Sequence, residues 1–238
     1  MSRSQRYRDL VERLCELRHC FLPKKFDPYG NYDNGELLKA SAYVVLVHAE
    51  LESFIEDRAR QTASASIKSW KDHKRANCVL VGLVAKYSKI YNVNEGGNNE
   101  KINITDQIDK SMEAFSKDIE GNHGIREYNI SKLLTSIGIE MESFDATWIL
   151  NMNNYSKKRG EIAHQSRKKY STTKQINPEE EFKTVNSLVH DGLKKLDLIT
   201  EGLIKGSHVI NVDLILDDFQ VKDPESEISE GIEGLFLS

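Results

Sequence analysis

Apolar residues recur at intervals of three and four along most of this chain, the period of one face of an α-helix. Over residues 4–20, Leu10, Leu14 and Leu17 keep that spacing, and Pro23 ends the segment. Residues 27–35 are rich in Asp, Asn, Gly and Pro and read as a loop. Asp33-Asn34-Gly35-Glu36 then opens a second helix, because an acidic cap with Glu three residues on satisfies orphan amides of the first turn. That helix is predicted to reach about Gln61, with Leu37, Ala40, Val44, Val47, Leu51 and Phe54 on its stripe. Residues 42–47 are apolar on every side, which marks it as the central buried helix. A third helix is predicted over 66–91, a loop over 94–103, and a fourth helix over 105–119 with Ile108, Met112 and Phe115 on one side. Gly121-Asn122-His123-Gly124 closes it. Short helices over 131–137 and 144–153 precede a separate helix that starts near Lys157. The last helix begins at Asn177-Pro178-Glu179-Glu180-Glu181, a cap followed by proline and acids that suit the dipole, and runs to Lys205 with Gly206 past its end. Phe182, Val185, Val189, Gly192, Leu196, Ile199 and Leu203 form its seam, which packs either inside the monomer or against a second copy. Residues 208–216 alternate loosely, as a short strand or extended segment does, and 224–234 are acidic and turn-rich. The expectation is an all-α domain over 1–206 and an irregular acidic extension over 207–238.

Composition narrows the class. The chain has 238 residues, 39% of them hydrophobic, and four prolines, enough for a substantial core and long helices. There is no apolar run of membrane-spanning length, and residues 1–10 lack a signal peptide's apolar region, so a membrane partner is not expected. Cys15, Cys20 and Cys78, an odd number without C-x-x-C, read as free thiols in the cytoplasm. Cys15, His19 and Cys20 lack a fourth ligand and zinc spacing, so neither a metal nor any other cofactor is expected. The net charge of −4 is uneven: residues 201–238 hold nine acids and two bases, −7, leaving +3 on the first 200. A modestly basic body with an acidic tail is compatible with a nucleic-acid partner. The P-loop, nucleophile-elbow and zinc-protease signatures are absent.

The chemistry concentrates in residues 157–169, where Lys157, Lys158, Arg159, Arg167, Lys168 and Lys169 face a single acid, Glu161. Such a cluster neutralises phosphates or is simply a solvated face. Arg159 and His164 stand five positions apart, about 140° on an ideal helix. A long arginine near a helix start can still curl toward the imidazole, with Ile162 and Ala163 anchoring the helix to the core. RNA carries its own nucleophile, the 2′-hydroxyl. Cutting it requires removal of that proton, stabilisation of charge on phosphorus, and protonation of the departing 5′-oxygen. Histidine titrates near neutrality and serves as base or acid, while arginine offers a charged planar fork to phosphate oxygens. His48 and Glu52, one turn apart on the buried helix, are either supporting partners of this site or a core pair. Arg58 and Arg60 either line a cleft or are ordinary helix-end cations. Tyr170 either stacks on a base or covers a helix end, and the acidic tail is either a solvated segment or one that binds a partner.

Arg159-Gly160-Glu161-Ile162-Ala163-His164 resembles the Arg-x4-6-His signature of the HEPN superfamily. Ala42-Tyr43-Val44-Val45-Leu46-Val47-His48-Ala49-Glu50-Leu51-Glu52-Ser53-Phe54-Ile55 is similar to the long second helix of stand-alone prokaryotic members. Residues 131–139 fit the region before the signature, so the resemblance covers about 35–200. It implies an antiparallel helical bundle, a two-fold homodimer with a composite site at the cleft, and a metal-independent endoribonuclease with Arg159 and His164 as its catalytic pair. Lys157, Lys158, Arg167, Lys168 and Lys169 would then bind RNA. Many members are toxins or antiviral effectors, which implies an antitoxin or defence partner; others are non-catalytic modules that bind RNA or protein. One departure is Gly160, where the family commonly carries Asn, Asp or His. Glu161 either compensates for it or caps the helix.

Overall fold

The computed structural model describes residues 3–87, 104–164 and 176–206, and among these every regular element is helical. Helix α1 (Gln5–Phe21) starts from Ser4, whose hydroxyl accepts the Tyr7 N–H at 3.0 Å, and buries Tyr7, Leu10, Leu14 and Leu17. Helix α2 (Asn34–His73) opens with the predicted capping box: Asp33 accepts the Glu36 N–H at 2.8 Å, and the Glu36 carboxylate accepts the Asp33 N–H at 3.0 Å. Its 40 residues make a rod about 60 Å long at about 1.5 Å per residue.

The break expected between Gln61 and Ser66 does not occur. The hydroxyl-bearing residues there are satisfied without leaving the helix: Thr62 Oγ1 donates to the Arg58 carbonyl at 2.7 Å, and Ser66 bonds the Asn77 side chain. The chain turns instead at Lys74, a left-handed residue (φ 56°) whose N–H closes on the Trp70 carbonyl at 2.8 Å. After it come α3 (Cys78–Tyr87), α4 (Ile104–Glu120), α5 (Glu127–Ser136), a 3-10 turn (Met141–Ser143), α6 (Ala146–His164) and α7 (Pro178–Ser187). A π-helical segment (Leu188–Leu193) leads straight into α8 (Lys194–Ile204), which ends before Gly206 at φ 75°. A second expectation also fails: α6 is unbroken where a separate helix was predicted to start near Lys157. Burial of Met152 and Tyr155 carries the helix through the asparagine-rich stretch 151–154. The expected loop 94–103 and the extension 207–238 lie outside the described residues.

Cross-helix contacts fix the topology. Arg6 pairs with Asp57 and Arg13 with Glu50, so α1 runs against α2. Ser4 meets Asp197 and Arg18 lies over Phe182, so α1 also runs against α7–α8. Lys71 pairs with Asp109 while Glu56 meets Asn122, which sets α4 antiparallel to α2. The predicted last-helix seam packs inside the monomer: Val185, Val189, Gly192, Leu196 and Ile199 are buried and Phe182 and Leu203 half-buried, with Leu188 and Leu193, outside the predicted seam, buried beside them. At Gly192 the backbone touches the Trp148 indole, and Trp148 Nε1–H donates to the Leu188 carbonyl at 2.9 Å. Arg58 does not line a cleft: it is 2% exposed and bonds Thr200 (2.9 Å), Glu201 (2.9 Å) and Gln61 (2.7 Å), with Asp197 at 3.3 Å. Asp197 in turn accepts the Ser4 N–H at 2.9 Å and bonds the Ser4 hydroxyl. This network ties α1, α2 and α8 together, while Arg60 stays exposed.

Candidate functional site

Helices α2 and α6 meet along a polar line at the edge of the core. The Tyr155 hydroxyl reaches the Val44 carbonyl at 3.4 Å, and one turn later His48 Nε2 lies 3.4 Å from Ser156 Oγ. The next turn of α2 presents Glu52, whose Oε2 faces His48 Nδ1 at 3.7 Å, beyond hydrogen-bond reach. The segment after α4 closes this corner. Asn122 there donates to Glu56 at 2.7 Å and to the Gly124 carbonyl at 3.2 Å while accepting from Asn129 at 3.1 Å. Gly124 holds φ 147°, a conformation L side chains rarely adopt. Arg159 enters from α6, half-buried, with its Nε buried and without a hydrogen-bond partner among the described residues.

The electrostatics follow from this crowding. Burial, reinforced by the Arg159 charge, pushes His48 down to about 4, so its imidazole is neutral near pH 7. Burial likewise raises the Glu52 carboxyl above its ordinary range; Glu56 adds to that, and Arg159, the Gly124 amide and His123 oppose it. Neither group is therefore set up as half of a strong ion pair. Instead, a permanent cation sits beside a neutral imidazole and a carboxyl whose ionisation is disfavoured.

Arg159, His48 and Glu52 are thus brought to one corner. His164 is the last residue of α6, and its side chain lies outside the described residues, as do Arg167, Lys168 and Lys169. Glu161 is half-buried and Lys157 exposed. The Lys158 ammonium donates to Glu181 Oε1 at 2.6 Å, so its charge is engaged inside the chain. Arg159 does not sit near a helix start: it lies in the later turns of a 19-residue helix. Ile162 is half-buried and Ala163 exposed, so they do not anchor it; Trp148, Ile149, Met152 and Tyr155 do. A Cβ added at Gly160 would meet nothing within 4 Å. By helix register, Ser156, Gly160 and Ala163 form a small-residue ridge with Arg159 on one flank and position 164 on the other. Ser156, Glu56, Asn122 and Gly124 were missed, because their role comes from a turn packing against a helix distant in sequence. The capping glycines of 121–124 were the only visible hint.

Among the described residues no group of three or more His, Cys, Asp or Glu is placed to hold a metal ion, and no helix is long and apolar enough to cross a membrane. Cys15 is half-buried and Cys20 exposed; His19 Nδ1 contacts the Cys15 carbonyl at 2.8 Å. A family model described as RiboL-PSP-HEPN matches residues 8–199, spanning α1 to α8 and including the α2–α6 corner. No curated protein and no solved structure matches the chain.

Proposed function

The chain belongs to the RiboL-PSP-HEPN family, and on that premise we propose that it is a metal-independent endoribonuclease with Arg159 and His164 as its catalytic pair. The observation that carries this reading is Arg159 itself, a half-buried guanidinium beside a neutral His48, its Nε without a hydrogen-bond partner among the described residues and open space along Gly160. A partly desolvated fork of this kind suits a phosphate gaining negative charge. His164 would take the 2′-hydroxyl proton as the oxygen attacks phosphorus. The P–O5′ bond breaks, and a protonated imidazole delivers a proton to the leaving 5′-oxygen. The products are a 2′,3′-cyclic phosphate and a 5′-hydroxyl.

Two imidazoles divide these roles if the chain is a homodimer. Helix register supports that: Ala146, Leu150, Asn153, Lys157, Gly160 and position 164 follow one another at three- and four-residue spacing, and Leu150 is 56% exposed. Lys157, with Arg167, Lys168 and Lys169, would track the RNA backbone. The same reading makes the protein a toxin or antiviral effector with an antitoxin or defence partner. The alternative is a non-catalytic HEPN module that binds RNA or protein, and Gly160 is the observation that favours it.

Purified protein is incubated with total RNA and excess chelator beside Arg159→Ala and His164→Ala. Cleavage that survives chelation and disappears in both variants supports the ribonuclease. Binding without cleavage supports the module. A heterodimer with one His164→Ala subunit that keeps the full rate per dimer removes the shared acid–base scheme.

A further inference from the structure

Glu181 is an unusual place for a carboxylate. Its side chain is 3% exposed, Oε1 accepts from Lys158 at 2.6 Å, and Oε2 is buried without a hydrogen-bond partner among the described residues. Around it stand the phenols of Tyr43 on α2 and Tyr155 on α6, both held far above the ordinary tyrosine range chiefly by burial and in part by the charge of Glu181. Burial raises the Glu181 carboxyl too, while Lys158 opposes the rise. A buried charge with one oxygen unsatisfied costs free energy, so this acid is tolerable only with its ammonium in place.

The position of Lys158 gives the pair a purpose. Among residues 157–163 none is fully buried, so these turns of α6 extend past the apolar seat formed by Trp148, Met152 and Tyr155. They are the turns that carry Arg159. Adjacent helix positions differ by about 100°, so Lys158 faces α7 while Arg159 faces the His48–Glu52 corner of α2.

We propose that Lys158 and Glu181 are a positioning pair: their ion pair fixes the rotation of the outer turns of α6 about its axis and so aims Arg159 at the reacting phosphate. Lys158 is then no RNA contact. The inference rests on the ribonuclease reading for its kinetic consequence, but the mechanical part stands apart from it.

Lys158→Met, Glu181→Gln, the double variant and Lys158→Arg are compared by steady-state cleavage of a single-stranded oligoribonucleotide and by amide hydrogen exchange over 157–164. Each of the first two lowers kcat by about tenfold to a hundredfold, the scale of an ångström-level misplacement, with KM unchanged. The double variant is no worse than the poorer single, and Lys158→Arg retains most of the rate. In both singles exchange over 157–164 speeds up while α1 and α4 keep their protection. A raised KM with intact kcat in Lys158→Met, together with an unaltered Glu181→Gln, overturns the proposal in favour of a phosphate contact. If the wild-type protein cuts no RNA, the ribonuclease reading fails on its own. The pair is then judged by exchange, and unchanged protection in both singles overturns it. Should Lys158→Met not fold, Glu181→Gln and Lys158→Arg decide the matter by the same two measurements.

Discussion

Replacing Gly192 by alanine tests whether the π-helical segment exists to seat an indole. An added Cβ would lie 2.0 Å from Trp148 Cε2 and 2.3 Å from both Cδ2 and Nε1. The clash is with a rigid ring that is 2% exposed, not with a flexible tip, so the indole must leave its slot. Overpacking of this kind costs about 1–3 kcal/mol. Withdrawal of the indole also breaks the 2.9 Å bond to the Leu188 carbonyl, and a buried group left unpaired costs about 1–3 kcal/mol. The stacked contact with Phe144, ring centroids 5.1 Å apart, contributes about 0.5–1.5 kcal/mol more. Together these amount to a loss of about 2.5–7.5 kcal/mol, a large share of the roughly 5–15 kcal/mol that holds a typical domain. Urea denaturation followed by far-UV circular dichroism measures it. In a Trp148→Leu background the cost of Gly192→Ala should shrink to about 1 kcal/mol or less, because the clashing ring is gone. A Gly192→Ala protein that loses under about 1 kcal/mol, or loses the same amount in both backgrounds, refutes the packing account.

Asp197→Ala removes one of the two carboxylates facing Arg58 and the acceptor of the Ser4 N–H and hydroxyl, while Glu201 at 2.9 Å still pairs the guanidinium; it is expected to cost about 1–3 kcal/mol, read from the same denaturation curves. Stability should fall on acidification through His48: the unfolded chain takes a proton near pH 6.5 but the folded imidazole not until about 4, so stability is complete above 6.5 and declines toward 4, by at most about 3 kcal/mol. Urea unfolding at pH 7 and pH 5 shows this, and His48→Gln should flatten the difference. Gly160→Ala enters open space within a helix and should add about 0.5–1 kcal/mol. Gly160→Asn, which supplies the polar residue common in the family, should raise RNA cleavage, and a lower rate counts against a catalytic role for the adjacent Arg159.

The helix-forming pattern was readable where local chemistry and burial agree. Ser4, the Asp33 capping box and Asn177-Pro178 each begin a helix at the expected residue because caps act over three or four positions. Boundaries failed where tertiary packing overrides propensity. Thr62 and Ser66 look like helix breakers, yet their hydroxyls bond within the fold; the asparagines of 151–154 suggest an end, yet Met152 and Tyr155 are buried on either side of one. At the site, Arg159, His48 and Glu52 could be named from spacing and resemblance. The engagement of Lys158 could not, since Glu181 lies 23 residues away on another helix and carries the appearance of an ordinary first-turn acid.

The π segment has a consequence for how this rod tolerates change in length. Glu181 lies on one side of Leu188–Leu193 and Asp197 on the other, and each must meet a fixed cation, Lys158 and Arg58 respectively. Regular α geometry over the same residues would swing α8 by about 100°, leaving one of the two acids dialled away from its mate, whereas α geometry with one amino acid excised would restore the register. The widened coil acts as a gear offset between two engagements, so its width and the number of residues from 181 to 197 can change only together.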